Sequence, residues 1–364
     1  MTTHKPKNIL IAPLDWGLGH TTRCVPLIGY LNSLGHRVFV AGNEWQKSFM
    51  RATFGHIDVI DLEGYNITYS KWNRWGQIGV LSQLPGLYKT ISAEHEWLRH
   101  IARDMQLHGI ISDNRYGLFH HDIPSVIMTH QLRIQTGMGN MADHVVQRIH
   151  YKYLDRFDTT WIADAPTYPG LGGQLSHTTV LPKQSKYIGL LSQFEGIEAA
   201  NDTDGSLLIL LSGPEPQRSN LSRILWQQAL RYEGKVTFIE GSDRVTLPDH
   251  IPPHITYYKW LSNEKLAPIL HEAGIVICRS GYSTLMDLVA LCKKAIVIPT
   301  PGQTEQEYLG KHLHEQGVFY TARQKGFDLS KALKEAGQFP YHSLSLQRAY
   351  SDYKQVIDDW LKTL

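Results

Sequence analysis

Short apolar runs alternate with stretches of helical periodicity along most of the chain, and this alternation restricts the fold more than any other feature. "NILIAP" (8–13) leads into a helical pattern from His20 to Leu34. "HRVFVAG" (36–42) precedes a helix over 44–53, and "IDVIDL" (57–62) follows it. After a long polar and aromatic section come a helix near 89–106, the runs "GIISD" (109–113) and "SVIMTH" (125–130), a helix near 139–155 and "TTWIAD" (159–164). Apolar runs this short suit buried strands, and helices between them let consecutive strands lie parallel. The expected class is α/β, built from doubly wound parallel sheets.

The pattern lapses between about 183 and 205, where "EGIEAANDTDGS" is polar and rich in turn formers, and a second series then starts. It runs "LLILLSG" (207–213), helix 218–231, "KVTFIEG" (235–241), "ITYY" (255–258), helix 262–271, "GIVICRS" (274–280), helix 283–291, "KAIVIPT" (294–300) and helix 304–316. With 364 residues, two domains are expected. We place them at 1–185 and 206–340, each Rossmann-like. The remainder, 341–364, carries Leu346, Tyr350, Tyr353, Val356, Ile357, Trp360 and Leu361 at helical spacing, and is expected to be a helix at the domain junction.

Composition removes several classes. Apolar residues make up 42% and charged residues 19%, as in a globular protein, and a net charge of +2 leaves no footprint for nucleic acid. Cys24, Cys278 and Cys292 are too few and too far apart for a disulfide frame or a metal site, and read as buried thiols. No stretch approaches the ~20 apolar residues of a membrane span, and the first apolar run is too short for a signal peptide. A cytoplasmic location is expected. The section 65–89, which mixes Tyr, Trp, Lys and Arg with apolar residues, is either a lid, a membrane-surface contact or a loop packed on its own domain.

Ligands in doubly wound sheets sit at the carboxyl ends of strands. Polar residues there are the candidates for function. "APLDWGLGHTTR" brings Gly17, Gly19 and His20 to the first strand end; Thr22 falls where a dinucleotide fingerprint needs its third glycine. "ISDNRYG" and "MTHQLRIQ" place Asp113, Asn114, Arg115, His130 and Gln131 at two others, as an acceptor pocket or as plain loops. "LLSGPEPQR" offers Ser212, Gly213 and Arg218 to a phosphate. In "VICRSGYSTLMDLVALCKKAIVIPTPGQTEQEYLG" (276–310), Arg279, Ser280, Gly281, Ser283 and Thr284 surround a helix start that can hold a diphosphate. Asp287, one turn on, either accepts from a ribose diol or closes a Thr284-x-x-Asp287 capping box. Gln303, Gln306 and Glu307 follow the next strand with groups suited to sugar hydroxyls. The D-x-D string at 202–204 lies in the linker, and no metal or other cofactor is expected.

The glycine-glycine-histidine turn, "THQLRI" and above all "CRSGYSTLMDLVALCKKAIVIPTPGQTEQEYLGKHLHEQGV" resemble the two-domain GT-B glycosyltransferases, nearest to the MurG-type N-acetylglucosaminyltransferases of glycosyltransferase family 28. The resemblance implies two Rossmann-like domains facing a cleft, with a nucleotide-sugar, taken as UDP-linked, on the C-terminal domain and an acceptor, lipid-linked in that family, on the N-terminal one. His20 matches the histidine that acts on the acceptor, Asp287 the acid that binds the donor ribose, and Gln306 the first of a sugar-binding glutamine pair. Glu307 stands in place of the second glutamine, and "LSGPEPQR" replaces the family's glycine-rich phosphate loop. The implied activity is inverting, metal-independent sugar transfer. The alternatives are a non-hydrolysing nucleotide-sugar 2-epimerase and a non-catalytic nucleotide-sugar-binding protein.

Overall fold

The computed structural model describes residues 5–15, 17–64, 84–197, 205–242, 245–248, 250–342, 350 and 352–364. The chain divides into two compact units. One holds the described residues of Met1–Asp15, His20–Gln193 and Arg348–Leu364; the other holds those of Trp16–Gly19 and Phe194–Gln347.

The first unit is built on seven parallel strands: β1 (Asn8–Pro13), β2 (Arg37–Gly42), β3 (Asp58–Asp61), β4 (Gly109–Asp113), β5 (Ser125–Thr129), β6 (Thr159–Ile162) and β7 (Ser185–Tyr187). Their spatial order is β3-β2-β1-β4-β5-β6-β7. Five residues of β1, and all of β4 and β5, are buried, which is why these strands read as unbroken apolar runs. Helices α1 (Leu18–Arg23), α2 (Val25–Ser33), α3 (Glu44–Phe54), α4 (Leu84–Asp104) and α5 (Asn140–Leu154) cover the sheet. Asn43 and Gln46 start α3 with a reciprocal capping box. One core cluster joins Leu10, Phe39 and Ile110 to Leu98 and Ala102 of α4.

The second unit has six parallel strands: β8 (Leu207–Leu210), β9 (Val236–Ile239), β10 (Ile255–Tyr258), β11 (Ile275–Cys278), β12 (Ala295–Val297) and β13 (Tyr320–Thr321), ordered β10-β9-β8-β11-β12-β13. Its helices are α6 (Gln217–Ala229), α7 (Asn263–Glu272), α8 (Tyr282–Ala290), α9 (Thr304–Glu315) and α10 (Leu329–Gln338). Leu221 and Leu225 of α6 and Ala332 and Ala336 of α10 close over Ile209, Phe238 and Ile296.

The last helix, α11 (Asp352–Leu361), belongs to the first unit. The Trp360 ring meets Trp161 edge-on at 5.6 Å, and Tyr30 donates to Asp358 over 2.8 Å. A Cβ on Gly109 would lie 2.6 Å from the Trp360 ring. Gly109→Ala should therefore lower stability by about 1–3 kcal/mol, the range for overfilling a packed contact. Thermal unfolding measures it, and Trp360→Leu in the same background should recover part of the loss.

Of the three cysteines, Cys24 and Cys278 are buried as expected, but Cys292 is exposed: it follows α8 in a turn with φ of 51°, which carries it out of the core. Within 65–89, residues 65–83 lie outside the described part, as does the D-x-D string; the rest forms the start of α4. No described helix is long and apolar enough to cross a membrane.

Candidate active site

In each sheet the chain reverses its direction of winding once, between β1 and β4 in the first unit and between β8 and β11 in the second. Such reversals open a crevice at the carboxyl ends of the two strands, where loops diverge. The register brings Pro13 opposite Asp113 in one and Leu210 opposite Cys278 in the other. His20 and Asp113 thus flank the first crevice, and Ser212 and Ser280 follow the strands that flank the second.

At the first crevice a buried charge cluster has formed. Asp113, fully buried, accepts from Arg23 Nε at 2.7 Å and from Arg23 Nη2, a two-pronged carboxylate–guanidinium pair. His20 Nδ1 stands 3.1 Å from Asp113 Oδ1, an approach too oblique for a well-formed hydrogen bond. Its side chain keeps 16% exposure, so an edge of the ring stays open. Arg23 Nη1 lies 2.9 Å from His130 Nδ1. A guanidinium can only donate, so His130 Nδ1 is the acceptor and carries no proton. Arg23 sits one helical turn after His20, which puts both on the same face of α1.

This environment sets the protonation states. Burial alone would raise the Asp113 pKa; Arg23 and His20 outweigh it and hold the carboxyl below the usual range. For His20, burial lowers the pKa from its usual 6.5, and Arg23 and His130 add to this against the opposing pull of Asp113. The imidazole therefore stays neutral, and fit to take a proton, to a lower pH than an exposed histidine would.

Several other candidates have different work. Asp113 is no lining residue but the partner of His20 and Arg23. Arg115 is fully buried and donates from Nε to Glu94 at 2.6 Å, with further bonds to the carbonyls of Pro13 and Glu63. It braces the scaffold beneath β1 and cannot reach a ligand. His130 is 5% exposed and held by Arg23. The Gln131 backbone N–H donates to Thr129 Oγ1 at 3.1 Å. Asn114 has φ of 57°, a left-handed conformation that carries strain for a non-glycine residue, and its buried Oδ1 has no hydrogen-bond partner among the described residues. Gly17 is left-handed, at φ of 85°, with open space where a Cβ would stand. Gly19 falls within the second unit, where its carbonyl accepts from Ser283 Oγ at 2.8 Å.

In the second unit, α8 starts directly after β11. Its N-cap is Gly281, extended and without a side chain to satisfy the first-turn amides, and nothing stands within 4 Å of where its Cβ would be. A ligand can approach the backbone there, and the helix start favours an anion. Because the helix begins at Tyr282, Thr284 and Asp287 both lie inside it, and the capping-box alternative for Asp287 fails. Asp287 sits on the second turn at 9% exposure. Gly213, after β8, has φ of 100° and an equally open Cβ position.

Several residues expected at the donor are committed elsewhere. Arg279, 2% exposed, gives two bonds of 3.2 Å to the carbonyls of Ile298 and Pro299 and one of 2.8 Å to Gln217. Burial lowers its pKa to about 10. Ser280 Oγ donates to the Gln306 carbonyl at 2.9 Å. Arg218 is buried and bonded to Glu240 and Glu215. The side chains of Gln306 and Glu307 accept from the Thr300 and Gly302 amides at 2.9 and 2.8 Å, so both shape the "PTPG" turn. Gln303 caps α9 without a side-chain bond. Among the described residues, no group of three or more His, Cys, Asp or Glu is placed to hold a metal.

The profile of the glycosyltransferase family 28 C-terminal domain matches residues 246–353, which include α8, Asp287 and the "PTPG" turn. That stretch is similar to a family 28 C-terminal domain. Two relatives are UDP-N-acetylglucosamine--N-acetylmuramyl-(pentapeptide) pyrophosphoryl-undecaprenol N-acetylglucosamine transferases. That of Caldanaerobacter subterraneus subsp. tengcongensis is 36% identical over 76 residues, covering 18% of this chain and 21% of the relative. That of Gloeothece citriformis is 30% identical over 138 residues, 37% of each. The chain thus aligns with well under half the length of these relatives. In fold it is similar to the solved glycotransferase of kitacinnamycin, with a TM-score of 0.66 at 13% identity over 99% of both chains. The expected α/β class, with two parallel sheets and helices as in GT-B folds, agrees with these likenesses.

Proposed function

We propose that the protein transfers a sugar from a nucleotide-sugar to an acceptor hydroxyl, with inversion at the sugar carbon and without a metal. The observation that carries the reading is the neutral His20 imidazole beside buried Asp113 at the mouth of the β1/β4 crevice. His20 removes the hydroxyl proton through Nε2 as the oxygen attacks the sugar carbon. Asp113, facing Nδ1, stabilises the imidazolium that forms and keeps the ring oriented. The bond from the sugar to the diphosphate breaks, and the leaving charge gathers at the amides of the α8 start. Gly213 and Gly281 leave room for the diphosphate, and Asp287 accepts from the ribose. The names of the two family relatives support a UDP-sugar donor and a lipid-linked acceptor. A lipid-linked acceptor would bring the protein to a membrane surface from the cytoplasmic side.

Asp287→Ala should weaken UDP binding by about 1.5–3 kcal/mol, the range for a hydrogen bond to a charged group. Titration calorimetry on the folded variant reads the loss. Unchanged affinity removes Asp287 from the donor site, and failure of any UDP-sugar to bind the wild type removes the donor class itself.

A further inference from the structure

One arginine of the second unit divides its charge between two acids of unequal burial. Arg218 lies in the first turn of α6, and its side chain is 5% exposed. Nη1 donates inward, to the Glu240 carbonyl at 3.0 Å and to Glu240 Oε1 at 3.5 Å. Glu240 follows β9 and its side chain is 6% exposed. Ser222 Oγ donates to its Oε2 at 2.9 Å, so this half of the contact is fixed from both sides. Nη2 donates the other way, to Glu215 Oε1. Glu215 is 52% exposed and lies in the loop between β8 and α6. Its carboxylate also accepts from Ser219 Oγ at 2.8 Å and from the Ser219 amide at 3.3 Å. Three donors thus converge on one acid that water reaches. That acid stands two residues after Gly213, where nothing lies within 4 Å of a Cβ position.

We propose that Glu215 holds the place of a donor phosphate, and that the phosphate exchanges with it on Arg218. The inference rests on the sugar-transfer reading, which brings a diphosphate to Gly213. A carboxylate and a phosphate accept the same bonds from a guanidinium, an amide and a hydroxyl. The unequal burial decides which acid leaves. Releasing Glu240 strands a charge away from water, which is costly. Releasing Glu215 returns its carboxylate to solvent, and an exposed pair contributes little. Arg218 keeps its Nη1 bonds throughout, so the guanidinium stays oriented while Nη2 changes partner. Glu215 is therefore an internal competitor of phosphate. It weakens every ligand that brings a phosphate to this loop and leaves a bare nucleoside unaffected.

Titration calorimetry of the full chain with UDP and with uridine tests the exchange. In Glu215→Gln, UDP affinity should rise about fivefold, the upper value for releasing an exposed ion pair, while uridine affinity stays at the wild-type value. Arg218→Gln/Glu240→Gln removes the guanidinium without stranding Glu240, and should bind UDP about tenfold or more weakly. Adding Glu215→Gln to that pair should change UDP affinity by less than about twofold, since nothing is left to compete for. Unchanged UDP affinity in Glu215→Gln overturns the proposal, and so does equal tightening of uridine, which carries no phosphate. Equal tightening with and without Arg218 overturns it as well, because Glu215 then acts through charge alone. If the Arg218/Glu240 variant does not fold, UDP against uridine in Glu215→Gln decides. A wild type that binds no UDP removes the donor class and the exchange together; one that binds it as tightly as Glu215→Gln removes the exchange only.

Discussion

His20→Ala should reduce kcat by about 10²–10⁴ while UDP affinity and melting temperature stay close to wild type. The ring makes no well-formed hydrogen bond to Asp113 and keeps an open edge, so its loss removes little packing. The pH profile adds a second reading. Because burial lowers the His20 pKa from 6.5, the acid limb of kcat should fall at a pH below 6.5, where an exposed histidine would already have titrated. Near-wild-type kcat would end the catalytic assignment, as would a fall in melting temperature large enough to account for the lost activity. An acid limb at or above pH 6.5 would mean that some other group titrates.

Arg23→Met should cost about 3–5 kcal/mol of stability, the largest structural effect we expect from a single change. Removing the guanidinium leaves Asp113 charged, buried and without its two-pronged partner. His130 Nδ1 loses its donor at the same time. Arg23→Met/Asp113→Asn should recover much of that stability by removing the stranded charge, yet remain slow, because His20 then has no carboxylate facing it. The sign with pH follows from the lowered Asp113 pKa. Its contribution to wild-type stability is complete above the unfolded carboxyl pKa and is lost as pH falls through the lower folded value. Urea unfolding of the three proteins at neutral and acid pH measures these terms. Equal stability of Arg23→Met and wild type would contradict the cluster's geometry.

The fold was largely readable because strands of a parallel sheet are apolar on both faces and so stand out as runs. What escaped was short or geometric. Strand β13 is two residues and β7 three, too few for any pattern, and β7 carries the first unit past the expected boundary at 185. Strand order cannot be read from periodicity, so the switch points that bring Asp113 to His20 were hidden. At the site, the chain reveals residue types but not directions. Arg115 looks like an acceptor-pocket residue in sequence, and Arg218 and Arg279 like phosphate ligands, yet each turns inward to carbonyls or a glutamate. Arg23 was overlooked for the opposite reason: "HTTR" reads as a plain helix start, although the spacing of His20 and Arg23 was the available clue. The linker, too, was placed from polarity alone, and polarity does not distinguish a loop from an edge strand.

Helix α11 bears on how the protein comes into being. The first unit contains residues up to Gln193 and then nothing until the C-terminal segment that carries α11. During synthesis, Trp161 and Gly109 emerge long before the Trp360 ring that covers them. The second unit, from Phe194 to Gln347, has its whole sheet available earlier than that. The usual order, in which the N-terminal domain is finished first, is therefore reversed. The unit that starts emerging first must wait, with part of its sheet uncovered, until the one translated after it is complete.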